Sequence, residues 1–120
     1  KFENFKFLCF ISQKELLYYY KLADFLILPS IYETWGLVVN EAMSLKTPCI
    51  VSNKCGCAND LVIPNKNGFI FSSKNDKKLF NIIKKITLKQ INYSNMKKSI
   101  SKTISKFNMN KTVETILKID

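Results

Sequence analysis

Two carboxylates and a glycine are spaced to do chemistry in the stretch Leu28-Pro29-Ser30-Ile31-Tyr32-Glu33-Thr34-Trp35-Gly36-Leu37-Val38-Val39-Asn40-Glu41-Ala42-Met43. An apolar, strand-like run ends at Leu28 and helical spacing starts at Gly36, and the carboxyl ends of parallel strands are where open α/β sheets bind ligands. Gly36 leaves its backbone unobstructed, so the N–H groups of Gly36, Leu37 and Val38 can point at an anion such as a diphosphate and gain from the helix dipole. At about 100° per residue from Leu37, Glu41 falls near 40°, inside an apolar arc shared with Leu45, Val38 and Ala42. A carboxylate there costs several kcal/mol unless it is hydrogen-bonded. A pair of ribose hydroxyls would serve, as would an internal hydrogen bond or a lysine from a neighbouring element. Glu33, in the loop at the strand end, can reach a sugar ring bound beside the phosphates, or can be a solvated loop glutamate or a helix-terminal charge. Trp35 reads as packing in preference to a sugar-stacking platform.

These residues need a scaffold, and the periodicity supplies one. Apolar runs at Phe5–Ile11, Phe25–Leu28, Pro48–Ser52 and Gly68–Phe71 read as strands. Gln13–Ala23 and Gly36–Leu45 carry helical spacing between them, which implies parallel pairing with helices on the faces. Residues 53–67 read as loop around Leu61-Val62-Ile63. Beyond Phe71 the texture becomes lysine-rich and amphipathic, with helices expected over Asp76–Ile86, Ile91–Phe107 and Lys111–Ile119. Ser72-Ser73, Asn75 and Asn110 are candidate start signals. Leu79, Ile82, Ile83 and Ile86, then Val113, Ile116 and Leu117, are expected to face the core.

At 120 residues the chain is one domain or part of one, and needs neither disulfide nor metal to fold. Hydrophobic residues are 47% and charged residues 23%, a globular balance, and no window reaches the ~18 apolar residues of a membrane span. The opening Lys1-Phe2-Glu3-Asn4-Phe5-Lys6 has neither a starting methionine nor a signal-peptide pattern, so the chain is expected to open within a longer protein. Cys9, Cys49, Cys55 and Cys57 read as reduced, buried thiols of a cytoplasmic protein. There is no histidine for a mixed zinc site, and Cys55-Gly56-Cys57 is C-x-C, not C-x-x-C. The net charge is +10, from 6 Lys and 6 acids in residues 1–60 against 13 Lys and 3 acids in residues 61–120. Such a field favours anionic partners, although cations that are all lysine, amid abundant Asn and Ile, also fit a base-composition bias.

Glu33 and Glu41 stand at E-x7-E spacing, and Leu-Pro-Ser-x-Tyr-Glu-x-Trp-Gly-Leu-x-x-x-Glu-Ala-Met, followed by Thr47-Pro48-Cys49-Ile50-Val51-Ser52, resembles the family-4 glycosyltransferases. Gly56-Cys57-Ala58-Asn59-Asp60-Leu61-Val62 and Asn67-Gly68-Phe69-Ile70-Phe71 resemble the family's next loop and last strand. The resemblance implies a GT-B enzyme of two Rossmann-like domains, and residues 1–120 would be part of the C-terminal, nucleotide-sugar-binding one, with strands over 1–89 and lysine-rich helices over 90–120. It implies hexose transfer from a nucleotide diphosphosugar to a glycan or lipid acceptor with retention of configuration, no cofactor and no bound metal. Glu33 would be the catalytic residue touching the transferred sugar. The amides of Gly36, Leu37 and Val38 would lie near the donor phosphates, Glu41 would hold the ribose, and main chain at Phe10 and Ile11 would lie near the base. Catalysis would rest on orienting the donor and stabilising the leaving diphosphate.

The chain also departs from the family pattern. Lys46 replaces a usual glycine at the helix end, which predicts a modest backbone penalty or a different cap. Cys9 replaces a common glycine, and Asn59-Asp60 a frequent Pro-Glu. The arginine and lysine that clamp the diphosphate in the family, and the histidine of its N-terminal domain, have no counterparts, since the chain has no Arg and no His. In the family's strand order 3-2-1-4-5-6, Phe5–Ile11 would be strand 3, left without sheet neighbours. The isolated chain is therefore expected to be inactive and poorly stable. Its expected place is cytoplasmic, with the lysines able to rest on an anionic inner-membrane face. A non-catalytic nucleotide-sugar-binding remnant is the alternative. A specific nucleic-acid partner is not expected, for want of a basic motif interleaved with aromatics.

Overall fold

The computed structural model describes residues 4–106 and 110–118. Elements follow the chain as α1 (Gln13–Leu22), β1 (Leu26–Leu28), α2 (Leu37–Ser44), β2 (Cys49–Ser52), α3 (Ala58–Leu61), β3 (Gly68–Phe71), α4 (Asp76–Thr87), α5 (Tyr93–Ser105) and α6 (Asn110–Leu117). The strands form one parallel sheet in the order β1-β2-β3. Leu26 lies opposite Cys49, and Cys49 opposite Gly68. Parallel strands need crossovers, and α2 and the α3 segment supply them. This is the α/β, partial Rossmann-like sheet that the periodicity implies, with the lysine-rich helices following it.

Side chains alternate across β2, so that one central strand feeds two apolar layers. Cys49 and Val51 join Leu17, Val39, Met43, Leu61, Ile100 and Val113 on one side. Ile50 joins Phe69, Phe71, Ile82 and Met96 on the other. Helix starts follow local capping chemistry. Ser12 and Glu15 form a reciprocal capping box at α1, while Asn75 and Asn92 accept from Lys78 and Asn95 at α4 and α5.

Several expectations are corrected. Phe5–Ile11 forms no strand. The sheet of the described residues is β1-β2-β3, and a strand exists only through its ladder. Phe5, Phe7, Leu8 and Phe10 are consequently exposed, and so is Cys9, against the expectation of a buried thiol. The stretch 53–67 contains α3, which starts after Cys57 without a side-chain cap. Asn75, not Ser72-Ser73, caps α4. Ile83 and Leu117 are exposed, so only Leu79, Ile82 and Ile86 of the first stripe, and Val113 and Ile116 of the second, face the core. Phe107 and Ile119, the expected ends of the last two helices, lie outside the described residues.

The two outcomes foreseen for Lys46 resolve in favour of the penalty. Lys46 sits at φ 64°, in the left-handed region. Its N–H reaches the Met43 carbonyl at 2.9 Å, and that of Thr47 reaches Ala42 at 3.0 Å. These are the two bonds of a Schellman motif, which normally places glycine where Lys46 stands.

Candidate donor-binding site

The site is built where β1 hands over to α2. Gly36 precedes the helix at φ 94° and ψ 60°, a left-handed conformation that L side chains rarely adopt, and offers no side chain to cap the first turn. A Cβ at this position would lie 3.2 Å from both Cys57 Sγ and Leu28 Cδ2 and 3.5 Å from Glu33 Cγ, so space as well as torsion selects glycine. The Val39 N–H turns back to the Gly36 carbonyl at 2.9 Å. The N–H groups of Gly36, Leu37 and Val38 have no acceptor among the described residues. Gly36 is buried, Val38 half-buried and Leu37 exposed, so this end of α2 reaches solvent at Leu37.

Glu33 is placed by a short extension of the sheet. It pairs with Cys55 in a parallel bridge. Its N–H donates to the Lys54 carbonyl at 3.2 Å, and its carbonyl accepts from Gly56 N–H at 3.0 Å. Cys57 N–H then donates to the Trp35 carbonyl at 2.9 Å. The two loops meet so closely that a Cβ on Gly56 would lie 1.9 Å from the Thr34 carbonyl oxygen. Below them, the Ser52 hydroxyl donates to the Ser30 carbonyl. The loop bearing Glu33 is thus held by backbone bonds, with the Glu33 side chain half-buried beside Cys57. Burial pushes the Cys57 thiol up to about 11, with the neighbouring Cys55 and Glu33 adding to the effect.

Glu41 is buried, with 7% of its surface exposed, as its helical angle implies. Its Oε1 accepts from Gln13 Nε2 at 3.0 Å. The Tyr20 phenol faces the same carboxylate, and burial first, then the Glu41 charge, raises its pKa. Of the partners open to Glu41 on sequence grounds, the internal hydrogen bond is therefore present, from Gln13 to Oε1, with the Tyr20 phenol as a second polar neighbour of the carboxylate. Trp35 donates from Nε1 to the buried Asn40 Oδ1 at 2.6 Å. The indole is pinned to α2, in keeping with packing.

Phe10 and Ile11 lie just before α1, Phe10 fully exposed at 101% and Ile11 half-buried. Because Gln13 follows two residues after Ile11 and bonds Glu41, this segment and the α2 carboxylate share one side of the molecule. Glu33, Gly36 and Cys57 form a second contiguous group, joined to Glu41 through α2. Sequence reasoning missed Gln13, Tyr20 and the clamping role of Gly56. Gln13 and Tyr20 lie seven residues apart and so on one face of α1, but the spacing does not say which element that face meets. Among the described residues no group of three or more Cys, Asp or Glu is placed to hold a metal ion.

Residues 2–103 match the model of the family described as glycosyl transferases group 1, and the chain belongs to that family. It is 31% identical over 97 residues, or 80% of its length, to the UDP-Gal:alpha-D-GlcNAc-diphosphoundecaprenol alpha-1,3-galactosyltransferase of Escherichia coli. It is 38% identical over 69 residues, or 58% of its length, to an uncharacterized glycosyltransferase of Methanocaldococcus jannaschii. The fold superposes on sucrose-phosphate synthase from Thermosynechococcus elongatus with a TM-score of 0.72 over 96% of this chain at 24% identity. The chain spans 24% and 17% of the two curated relatives and 31% of the solved structure.

Proposed function

We propose that the chain is the donor-binding part of a retaining hexosyltransferase that moves a sugar from a nucleotide diphosphosugar to a lipid-linked or glycan acceptor. The observation that carries this reading is the buried carboxylate of Glu41 on a helix whose first-turn amides stand open behind a left-handed Gly36. Diphosphate on the amides and ribose on Glu41 would use both features at once. Glu33, held at the strand end, would meet the hydroxyls of the transferred hexose, and main chain at Phe10 and Ile11 would border the base. The bond from the anomeric carbon to the diphosphate breaks and one to the acceptor oxygen forms on the same face, the acceptor hydroxyl's proton passing to the departing diphosphate. Residues here orient the donor and offset charge on the leaving diphosphate, with no cofactor required.

The Escherichia coli relative acts on a diphosphoundecaprenol-linked acceptor by its name, which supports a lipid-linked acceptor for this protein too. The rest of the cleft, including an N-terminal domain and the cations that clamp the diphosphate, would come from outside residues 1–120. No helix of the described residues is long and apolar enough to cross a membrane, and a cytoplasmic place with peripheral contact at the inner face fits this reading.

The test uses the protein as its cells make it, with a panel of nucleotide diphosphosugars and sugar release as the readout. Glu41→Gln should weaken donor binding at least about tenfold, since a charged hydrogen bond to ribose is lost. Glu33→Gln should lower turnover more than binding. Nucleotide binding with no turnover on any donor would assign the chain to a non-catalytic nucleotide-sugar-binding remnant. Absence of nucleotide binding altogether would sink both readings.

A further inference from the structure

Helix α4 is apolar on two sides. Leu79, Ile82 and Ile86 pack into the core beneath β3. At about 100° per residue, Phe80, Ile83 and Thr87 form a second stripe beside the first, its centre about 100° further round the helix. Phe80 is 64% exposed, Ile83 39%, and Leu88 at the helix end 55%. The Thr87 hydroxyl donates to the Ile83 carbonyl at 2.9 Å, so it adds no free donor to this stripe. Contiguous exposed apolar surface of this kind marks a contact face.

The charge around the stripe is mainly positive, with Asp24 sharing a cavity with Thr87 and Lys89. Residues 74–89 carry six lysines and one acid, Asp76. Lys77 and Lys84 lie one helical turn before and after Phe80, and Lys89 follows Leu88. Lysine is depleted in the cores of protein–protein interfaces, where arginine is favoured, and this chain has no arginine. A stripe of Phe, Ile and Leu within a lysine rim is instead the pattern of a helix lying in an interfacial lipid layer, with lysine stems covering apolar surface and their ammonium groups reaching lipid phosphates.

We propose that the outer face of α4, centred on Phe80, Ile83 and Leu88 and rimmed by Lys77, Lys84 and Lys89, docks on an anionic lipid bilayer. It brings the domain to the membrane by its side, leaving the strand ends that carry Glu33 and Gly36 free. The inference rests on the peripheral membrane contact of the proposed function and names the surface that makes it; because lipid binding needs no nucleotide, its failure is distinguishable from failure of the donor site.

The experiment sediments the protein, as its cells make it, with phosphatidylcholine vesicles prepared with and without phosphatidylglycerol. Pelleting with the anionic vesicles only is expected. Phe80→Ser/Ile83→Ser/Leu88→Ser should lower vesicle affinity at least about tenfold, and Lys77→Gln/Lys84→Gln should lower it and flatten its salt dependence. A Phe80→Trp variant, which keeps the fold, should show blue-shifted fluorescence on the anionic vesicles. Equal pelleting with both vesicles, wild-type affinity of the serine variant, or an unshifted tryptophan would overturn the proposal. A concentration-dependent shift without lipid would likewise overturn it, in favour of a second protein copy.

Discussion

Gln13 Nε2 donates to Glu41 Oε1 across 3.0 Å, joining the first residue of α1 to the buried carboxylate of α2 over 28 positions of sequence. A hydrogen bond to an ionised group contributes about 1.5–3 kcal/mol and fixes its rotamer. Under the proposed function it orients the carboxylate that meets the ribose hydroxyls. Gln13→Leu is therefore expected to weaken nucleoside diphosphate binding about fivefold or more, by calorimetry, with the loss concentrated in donors that carry the ribose 2′-hydroxyl. Equal losses for ribose and 2′-deoxyribose nucleotides would show that Gln13 merely supports the fold.

The sequence made the site legible where one element carries it. Glu41 lies in the apolar arc of α2 because a helix's angle per residue is fixed, and Gly36 stands out because a residue without a side chain leaves the helix-start backbone unobstructed. What remained illegible depends on pairs of distant segments. The bond from Gln13 to Glu41 and the clamp of Gly56 on Thr34 require the packing of α1 on α2 and of one loop on another, which no local pattern encodes. Phe5–Ile11 illustrates the opposite failure. Its composition is that of a strand, but ladder partners, not composition, make strands.

Gly56 tests how firmly the Glu33 loop must be held. A methyl group there would meet backbone atoms of Thr34 and Trp35, which have no rotamer by which to yield. Gly56→Ala should cost about 2–3 kcal/mol in chemical denaturation. It should also lower sugar turnover beyond what the loss of folded protein explains, because displacing Thr34 moves Glu33. Unchanged turnover per folded molecule would separate the clamp from the chemistry.

Lys46 makes the converse prediction, a gain. A lysine at φ 64° carries the steric cost of the left-handed region, while its Schellman bonds depend only on backbone. Lys46→Gly should raise stability by about 0.5–1 kcal/mol, the relief of strain exceeding the added entropy of the unfolded glycine. Lys46→Val, β-branched in the same conformation, should lower it. Denaturant midpoints at constant slope would distinguish these outcomes from changes in the unfolded state.

The cysteines give a prediction in reactivity and in pH. Cys9 is exposed, while Cys49, Cys55 and Cys57 are buried, so a brief maleimide pulse at neutral pH should label the Cys9 peptide first and the other three only after unfolding. Burial raises the Cys57 thiol from 9.0 to about 11, and raises Cys49 as well. Between those values the unfolded chain loses the Cys57 proton and the folded chain keeps it. Unfolding therefore releases protons, and stability must fall as pH rises. The contribution is fully present below pH 9, declines from there, and is lost as pH passes about 11. Tyr20, also raised by burial, acts in the same direction. Denaturant midpoints that fall across this window, with the Cys57→Ala variant showing a shallower decline, are the expected result. A flat profile would mean that the thiol ionises as easily in the folded protein as in the unfolded one.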